Sequence, residues 1–166
     1  GLGKGIAYEM AARGYNIALA ARRPLEEVAA EISSKHGVVA KAYALDVTDG
    51  DAVGSCLQQV AAEFYSLDVI IANAGIADTM FIGSGDFAAV KAIIDTNVLG
   101  LMATVESALP ILRQQGSGQI VGMSSVAGER GMPGVAVYCA SKSAVTTYMK
   151  ALQAEIYNEN IDVTIL

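Results

Sequence analysis

The chain has 166 residues, 53% of them hydrophobic, which is enough for one sizeable core and too few for two ordinary domains. Its 11 Lys plus Arg stand against 17 Asp plus Glu, a formal net charge of -6 with no basic block, and this argues against a nucleic-acid partner. Cys56 and Cys139 match neither a disulfide framework nor metal-ligand spacing, no stretch approaches about 18 uninterrupted apolar residues, and the start lacks signal-peptide regions, so the expectation is a reducing, cytoplasmic setting with no metal site and no membrane span.

In chain order, a helix is expected over 3–13, entered directly from Gly1-Leu2-Gly3, with Ile6, Ala7 and Met10 on its inner side and Gly14 as its stop. Ile17-Ala18-Leu19-Ala20 reads as a buried strand. Pro24 opens a helix over 25–35, residues 38–45 form a strand and 51–64 a helix. A short apolar strand over 67–72 is stopped by Asn73-Ala74-Gly75. A helix follows Asp86, and a separate, longer one is expected over 97–114, with Asn97 at its start and Pro110 placed to kink it. The rest is a strand over 119–123, a Gly- and Pro-rich loop over 126–137, a helix from Tyr138 to 157 and a strand over 161–166. This alternation means a Rossmann-type, doubly wound parallel sheet with helices on both faces and ligands at the carboxyl ends of the strands. A Gly-x-Gly turn that opens a helix normally receives its chain from a strand lying, in such a sheet, between those at 17–20 and 67–72. Residues 1–166 are therefore expected to form a single dinucleotide-binding and catalytic domain, incomplete at both ends, with its sheet split where that strand belongs.

Gly1-Leu2-Gly3, with a helix behind it, can offer backbone N–H groups and a positive helix end to a diphosphate, or it can be a tight turn without a ligand. At the end of strand 17–20, where a ribose-binding carboxylate would stand, are Ala21, Arg22 and Arg23. A missing acid and an arriving guanidinium favour a 2'-phosphate, hence NADP with NAD as the alternative, against two merely solvated arginines. Asn73-Ala74-Gly75 ends a strand at the same sheet edge. Gly75 there lets a flat ligand approach the backbone and Asn73 can bridge neighbouring strand ends, unless the segment is an ordinary turn. Asp46, followed by Val47, either accepts a hydrogen bond from an adenine amine or caps the next segment. Asn97 is a helix cap, a structural hydrogen bonder or a catalytic group.

The strongest signal is Tyr138-Cys139-Ala140-Ser141-Lys142. At about 100° per residue, Tyr138, Lys142, Val145, Met149, Leu152 and Ile156 fall in one narrow sector, so a hydroxyl and an ammonium share the stripe that seeks the core. A charge facing inward calls for a polar companion, such as a cofactor or substrate. Ser124-Ser125 ends the preceding strand, and the loop after it can fold back so that Ser125 and Tyr138 approach one carbonyl oxygen. A phenol ordinarily holds its proton to about pH 10, and a neighbouring cation stabilises the phenolate; Lys142 supplies that cation. The plainer alternative is a surface-edge tyrosine beside a snorkelling lysine.

Together, Gly1-Leu2-Gly3, Asp46-Val47, Asn73-Ala74-Gly75, Asn97-Val98-x-Gly100, Ser125 and Tyr138-x-x-x-Lys142 resemble, in order and spacing, the classical short-chain dehydrogenase/reductase family. The resemblance implies an NAD(P)-dependent oxidoreductase that moves a hydride between nicotinamide and an alcohol or ketone carbon of a small molecule. It implies Tyr138 as general acid or base, Lys142 holding the nicotinamide ribose, Ser125 orienting the substrate oxygen and Asn97 holding a proton-relay water. Asp46 would contact adenine, and Asn73, Ala74 and Gly75 would border the cofactor. Ala72 departs from the family, which often has a first Asn there. The helices at 97–114 and 138–157 would pair across a twofold axis into a homodimer or homotetramer. Two alternatives stand beside this: a sugar-nucleotide epimerase or dehydratase using the same Tyr and Lys, and a catalytically silent cofactor-binding regulatory protein.

Overall fold

Small residues and glycine stops set the first half of the chain, described with the rest of residues 1–166 by a computed structural model. Helix α1 (Leu2–Ala12) buries Ala7 and Ala11, and Gly14, at φ 88°, turns the chain into β1 (Ile17–Ala21). Helix α2 (Glu26–His36) carries Glu26 and Glu27 in its first turn and Lys35 and His36 in its last, matching the helix dipole, and ends on left-handed Gly37. Strand β2 (Ala40–Ala44) leads to α3 (Gly50–Phe64), whose first turn is capped by Asp49 accepting from the Ala52 N–H at 3.0 Å. Then follow β3 (Val69–Ala72), α4 (Phe87–Ile94) capped by Asp86, α5 (Gly100–Gln115), β4 (Gly118–Gly122), α6 (Ala136–Glu155) and β5 (Ile161–Ile165).

Every strand pair is parallel, in two sheets ordered β1-β2 and β3-β4-β5. One edge of β1 and one edge of β3 stay unpaired, the split that the glycine turn at the chain start led us to expect. Register places Ala72, Gly122 and Ile165 side by side, so the carboxyl ends of β3, β4 and β5 form one rim. The larger core lies under this sheet, where Leu101, Val105, Ala108 and Leu112 of α5 meet Val145, Met149 and Leu152 of α6 around Ile70 and Ile120. A smaller cluster of Ala7, Ala11, Ile17 and Ile32 joins α1, β1 and α2. Helix α3 ties the halves together: its Glu63 accepts from Lys41 and Tyr43 of β2, while Cys56 and Val60 belong to the larger core.

Two expectations need correction. The helix after Asp86 and the one expected at 97–114 form a single helical run, Phe87–Gln115, with a π turn at Asp95–Leu99 in its middle. Asn97 therefore lies inside a helix and caps nothing. No glycine or proline interrupts residues 87–99, and the polar Asn97 resembles a cap in sequence because its side chain bonds backbone, although that backbone belongs to another segment. Pro110 stays within α5, whose buried residues flank it on both sides. By length and composition this run could cross a membrane, yet its buried stripe packs into the larger core. The 126–137 loop also differs: Val126–Gly128 forms a 3-10 turn and α6 begins at Ala136, two residues before Tyr138.

Candidate active site

Close packing of α6 on β4 sets the site. A Cβ on Gly122 would lie 2.9 Å from Met149 Cγ and Cε, so only glycine lets the helix approach this strand so closely. The inward stripe is realised: Lys142, Val145, Met149, Leu152 and Ile156 are buried and Tyr138 is half-buried at the rim. Lys142 is 4% exposed; its Nζ donates to the Met123 carbonyl at 2.7 Å and sits 5.8 Å from the centre of the Tyr138 ring. Burial pushes the Lys142 pKa down, because the charged form loses its water. Gly128 lies directly on the backbone of Lys142 and Ser143, where a Cβ would come within 2.9 Å of the Lys142 carbonyl carbon. That contact folds the loop after β4 back over α6. Ser125, which caps the 3-10 turn, accepts from the Ala127 N–H at 3.1 Å, leaving its own O–H available to donate.

The π turn brings Asn97 to the same place. Asn97 is 1% exposed; its Oδ1 accepts from the Ile76 N–H and its Nδ2 donates to the Ile76 carbonyl, both at 2.8 Å. Nδ2 also donates to Ser141 Oγ at 3.0 Å. The Cβ that Gly75 lacks would stand 3.4 Å from Asn97 Oδ1 and 3.6 Å from Lys142 Nζ, so Gly75, Asn97 and Lys142 surround one point. Of the anticipated residues, the structure thus gathers Gly75, Asn97 and Lys142, with Tyr138 beside Lys142. Ser141 joins them without having been assigned a role from sequence; the signal was its place three residues after Tyr138 on a helix, a spacing that puts both on one face.

On the other side of Asn73-Ala74-Gly75, a Cβ on Gly3 would lie 2.7 Å from Asn73 Nδ2, so the glycine turn and this segment meet because Gly3 has no side chain. Asn73 covers Gly3 and does not bridge strand ends; backbone does that, through Met123 N–H to the Ala72 carbonyl at 3.2 Å. Asp46 Oδ1 accepts from the Thr48 N–H and hydroxyl at 3.0 and 2.9 Å, closing the turn that precedes α3, whose own cap is Asp49. Those bonds, with the nearby Arg22, hold its carboxyl below its usual range. Arg22 Nη1 stands 4.0 Å from Asp46 Oδ2, too far for a hydrogen bond, and both arginines line an open depression with Ala21. Val47 packs on Gly100, whose Cβ would lie 2.7 Å from Val47 Cγ2. The donor set suits a phosphorylated dinucleotide: N–H groups at the start of α1, guanidinium groups beyond β1 and a buried ammonium near Gly75.

Residues 1–166 match the family model described as short chain dehydrogenase. The chain belongs to the short-chain dehydrogenase family. It is 41% identical over 170 residues to an uncharacterized oxidoreductase of Mycobacterium tuberculosis, covering 100% of this chain and 67% of that one. It is 36% identical over 167 residues to an NADP-dependent 3-hydroxy acid dehydrogenase of Schizosaccharomyces pombe, covering 97% and 64%. Its fold superposes with TM-score 0.93 and 28% identity on an alcohol dehydrogenase of the archaeon Thermococcus sibiricus complexed with 5-hydroxy-NADP, covering 99% and 70%. This short-chain dehydrogenase spans about two thirds of the length of the curated relatives it matches.

Proposed function

We propose that this short-chain dehydrogenase is an NAD(P)-dependent oxidoreductase that transfers a hydride between nicotinamide C4 and an alcohol or ketone carbon, with NADP preferred. The observation that carries the proposal is the buried Lys142 ammonium, which has a single carbonyl partner and lies beside Tyr138. The dinucleotide supplies or accepts the hydride. Tyr138 gives its phenol proton to the substrate oxygen in reduction and, as phenolate, takes the alcohol proton in oxidation, while Ser125 O–H donates to the same oxygen and fixes its position. The Lys142 cation stabilises the phenolate, and its N–H donors not used by Met123 hold ribose hydroxyls. Asn97, facing the same point as Lys142, holds a relay water that carries the proton onward. Asn73, Ala74 and Gly75 border the cofactor, and the α1 start with Gly1, Leu2 and Gly3 takes its diphosphate. Asp46, with Val47 beside it, faces the adenine through its remaining carboxylate oxygen.

NADP preference is supported by Arg22 and Arg23 beyond β1, and by the NADP named for the fission-yeast and archaeal relatives. A carboxylate in their place would repel a 2'-phosphate; a guanidinium binds one bidentately. We place the protein in the cytoplasm, as a homodimer or homotetramer. Its single domain would be completed by a strand pairing with the open edges of β1 and β3. The test follows NADPH and NADH consumption by the full-length protein with a panel of ketones and keto acids. Alcohol product with NADPH is expected; binding of both cofactors without turnover on any carbonyl would overturn the proposal.

A further inference from the structure

Ser141 is fully buried, and its hydroxyl links two elements that sequence keeps far apart. Its Oγ accepts from Asn97 Nδ2 at 3.0 Å and donates to the Tyr138 carbonyl at 2.7 Å. A helical serine often bonds a carbonyl one turn back, so the second contact alone would mean little. The first is different, because it reaches a buried amide on another helix. Asn97 has two amide protons; one goes to the Ile76 carbonyl and the other to Ser141. The single hydroxyl proton of Ser141 goes to the Tyr138 carbonyl. A directed chain therefore runs from the backbone of Ile76, next to Gly75, through the π turn to the backbone that carries the phenol.

We propose that Ser141 is a positioning residue for Tyr138: it locks the first turn of α6 to Asn97, and so to the Asn73–Gly75 edge that faces the cofactor. The inference rests on the oxidoreductase reading above for its kinetic consequence. A hydroxyl is required because alanine would leave an Asn97 amide proton buried without an acceptor and would untie the Tyr138 carbonyl. A displacement of about 1 Å in a reacting group costs on the order of a hundredfold in rate, so a small relaxation of this turn should appear in turnover. Cofactor contacts lie mostly on other elements and should feel it less.

The test compares full-length wild type, Ser141→Ala, Ser141→Thr and Tyr138→Phe. Wild type and Tyr138→Phe establish first whether turnover runs through the phenol; a wild type without Tyr138-dependent turnover would defeat the oxidoreductase reading. Given such turnover, Ser141→Ala should lower kcat about tenfold or more with cofactor Kd and substrate KM within about threefold, and Ser141→Thr should recover most of the loss. Amide exchange on the cofactor-free proteins gives a readout independent of activity: the Ile76 N–H, bonded to Asn97, should exchange faster in the Ala variant and near the wild-type rate in the Thr variant. If Ser141→Ala does not fold, Ser141→Cys, with its weaker acceptor, should show the same pattern at reduced size. A folded variant with kcat within twofold of wild type, unchanged Ile76 exchange, or equal losses in kcat and cofactor affinity that threonine does not rescue would each overturn the proposal.

Discussion

At the Tyr138 end of the site, Asn97, Ser141 and Lys142 are 1%, 0% and 4% exposed; Asn97 and Ser141 bond each other, and all three bond backbone, at 2.7 to 3.0 Å. At the dinucleotide end, the side chains of Arg22 and Asp46 are 68% and 44% exposed and stand 4.0 Å apart. The first arrangement is preorganised, its polar groups already paired with protein atoms in place of solvent. The second leaves charged donors hydrated until an anion displaces their water, which suits binding and selectivity. The two ends should accordingly fail in different ways.

The largest effect is expected from Lys142→Met, which keeps volume in a buried position and removes the cation. Turnover should fall about a thousandfold and cofactor affinity about tenfold, since phenolate stabilisation and ribose contact disappear together. Steady-state kinetics with a parallel binding titration checks this, and loss of affinity alone would erase the contrast between the ends. Arg22→Asp should act only at the other end: NADPH should bind about a hundredfold more weakly and the preference should pass to NADH, with kcat at saturating cofactor little changed.

A smaller effect should come from Gly100→Ala. Gly100 has helical backbone, so alanine is tolerated there, but its Cβ would lie 2.7 Å from Val47 Cγ2 and 3.1 Å from the Val47 carbonyl oxygen. Overpacking of this kind costs about 1–3 kcal/mol, readable as a lowered thermal midpoint, and the displaced Asp46-Val47 segment should weaken cofactor binding without lowering saturated turnover. The smallest effect concerns the buttress between β2 and α3. Bonds from Lys41, Gln59 and Tyr43 hold the Glu63 carboxyl down at about 2. A carboxyl depressed in the folded state adds stability that is complete above its ordinary value of 4.5 and is lost as pH falls through about 2. Glu63→Gln should therefore flatten the pH dependence of the urea midpoint within that acid window and leave kcat unaltered.

The legible features were those carried by periodicity and punctuation. The Tyr138–Ile156 stripe, the glycine stop at 14 and the strand-helix alternation follow from local physics, and all reappear in the structure. The division of the sheet was expected as well, and β1-β2 indeed stand apart from β3-β4-β5. The π turn was not. Within it Asn97 bonds Ile76, 21 residues away, and no local pattern announces a contact between segments that meet only after folding. Ser141 was hidden for the same reason, as its partner lies 44 residues back. Asp46 was half legible: its bonds to Thr48 are local, while its place beside Arg22 comes from the pairing of β1 with β2.

The proposed proton path at the Tyr138 end is tested most directly by Tyr138→Phe in the full-length protein, with kcat and cofactor Kd measured on the same preparation. The variant removes one hydroxyl and keeps the ring beside Lys142. Turnover lower by about a hundredfold or more with cofactor affinity within about threefold is the expected result; turnover close to that of the unmodified protein would contradict the assignment of Tyr138 as the acid and base.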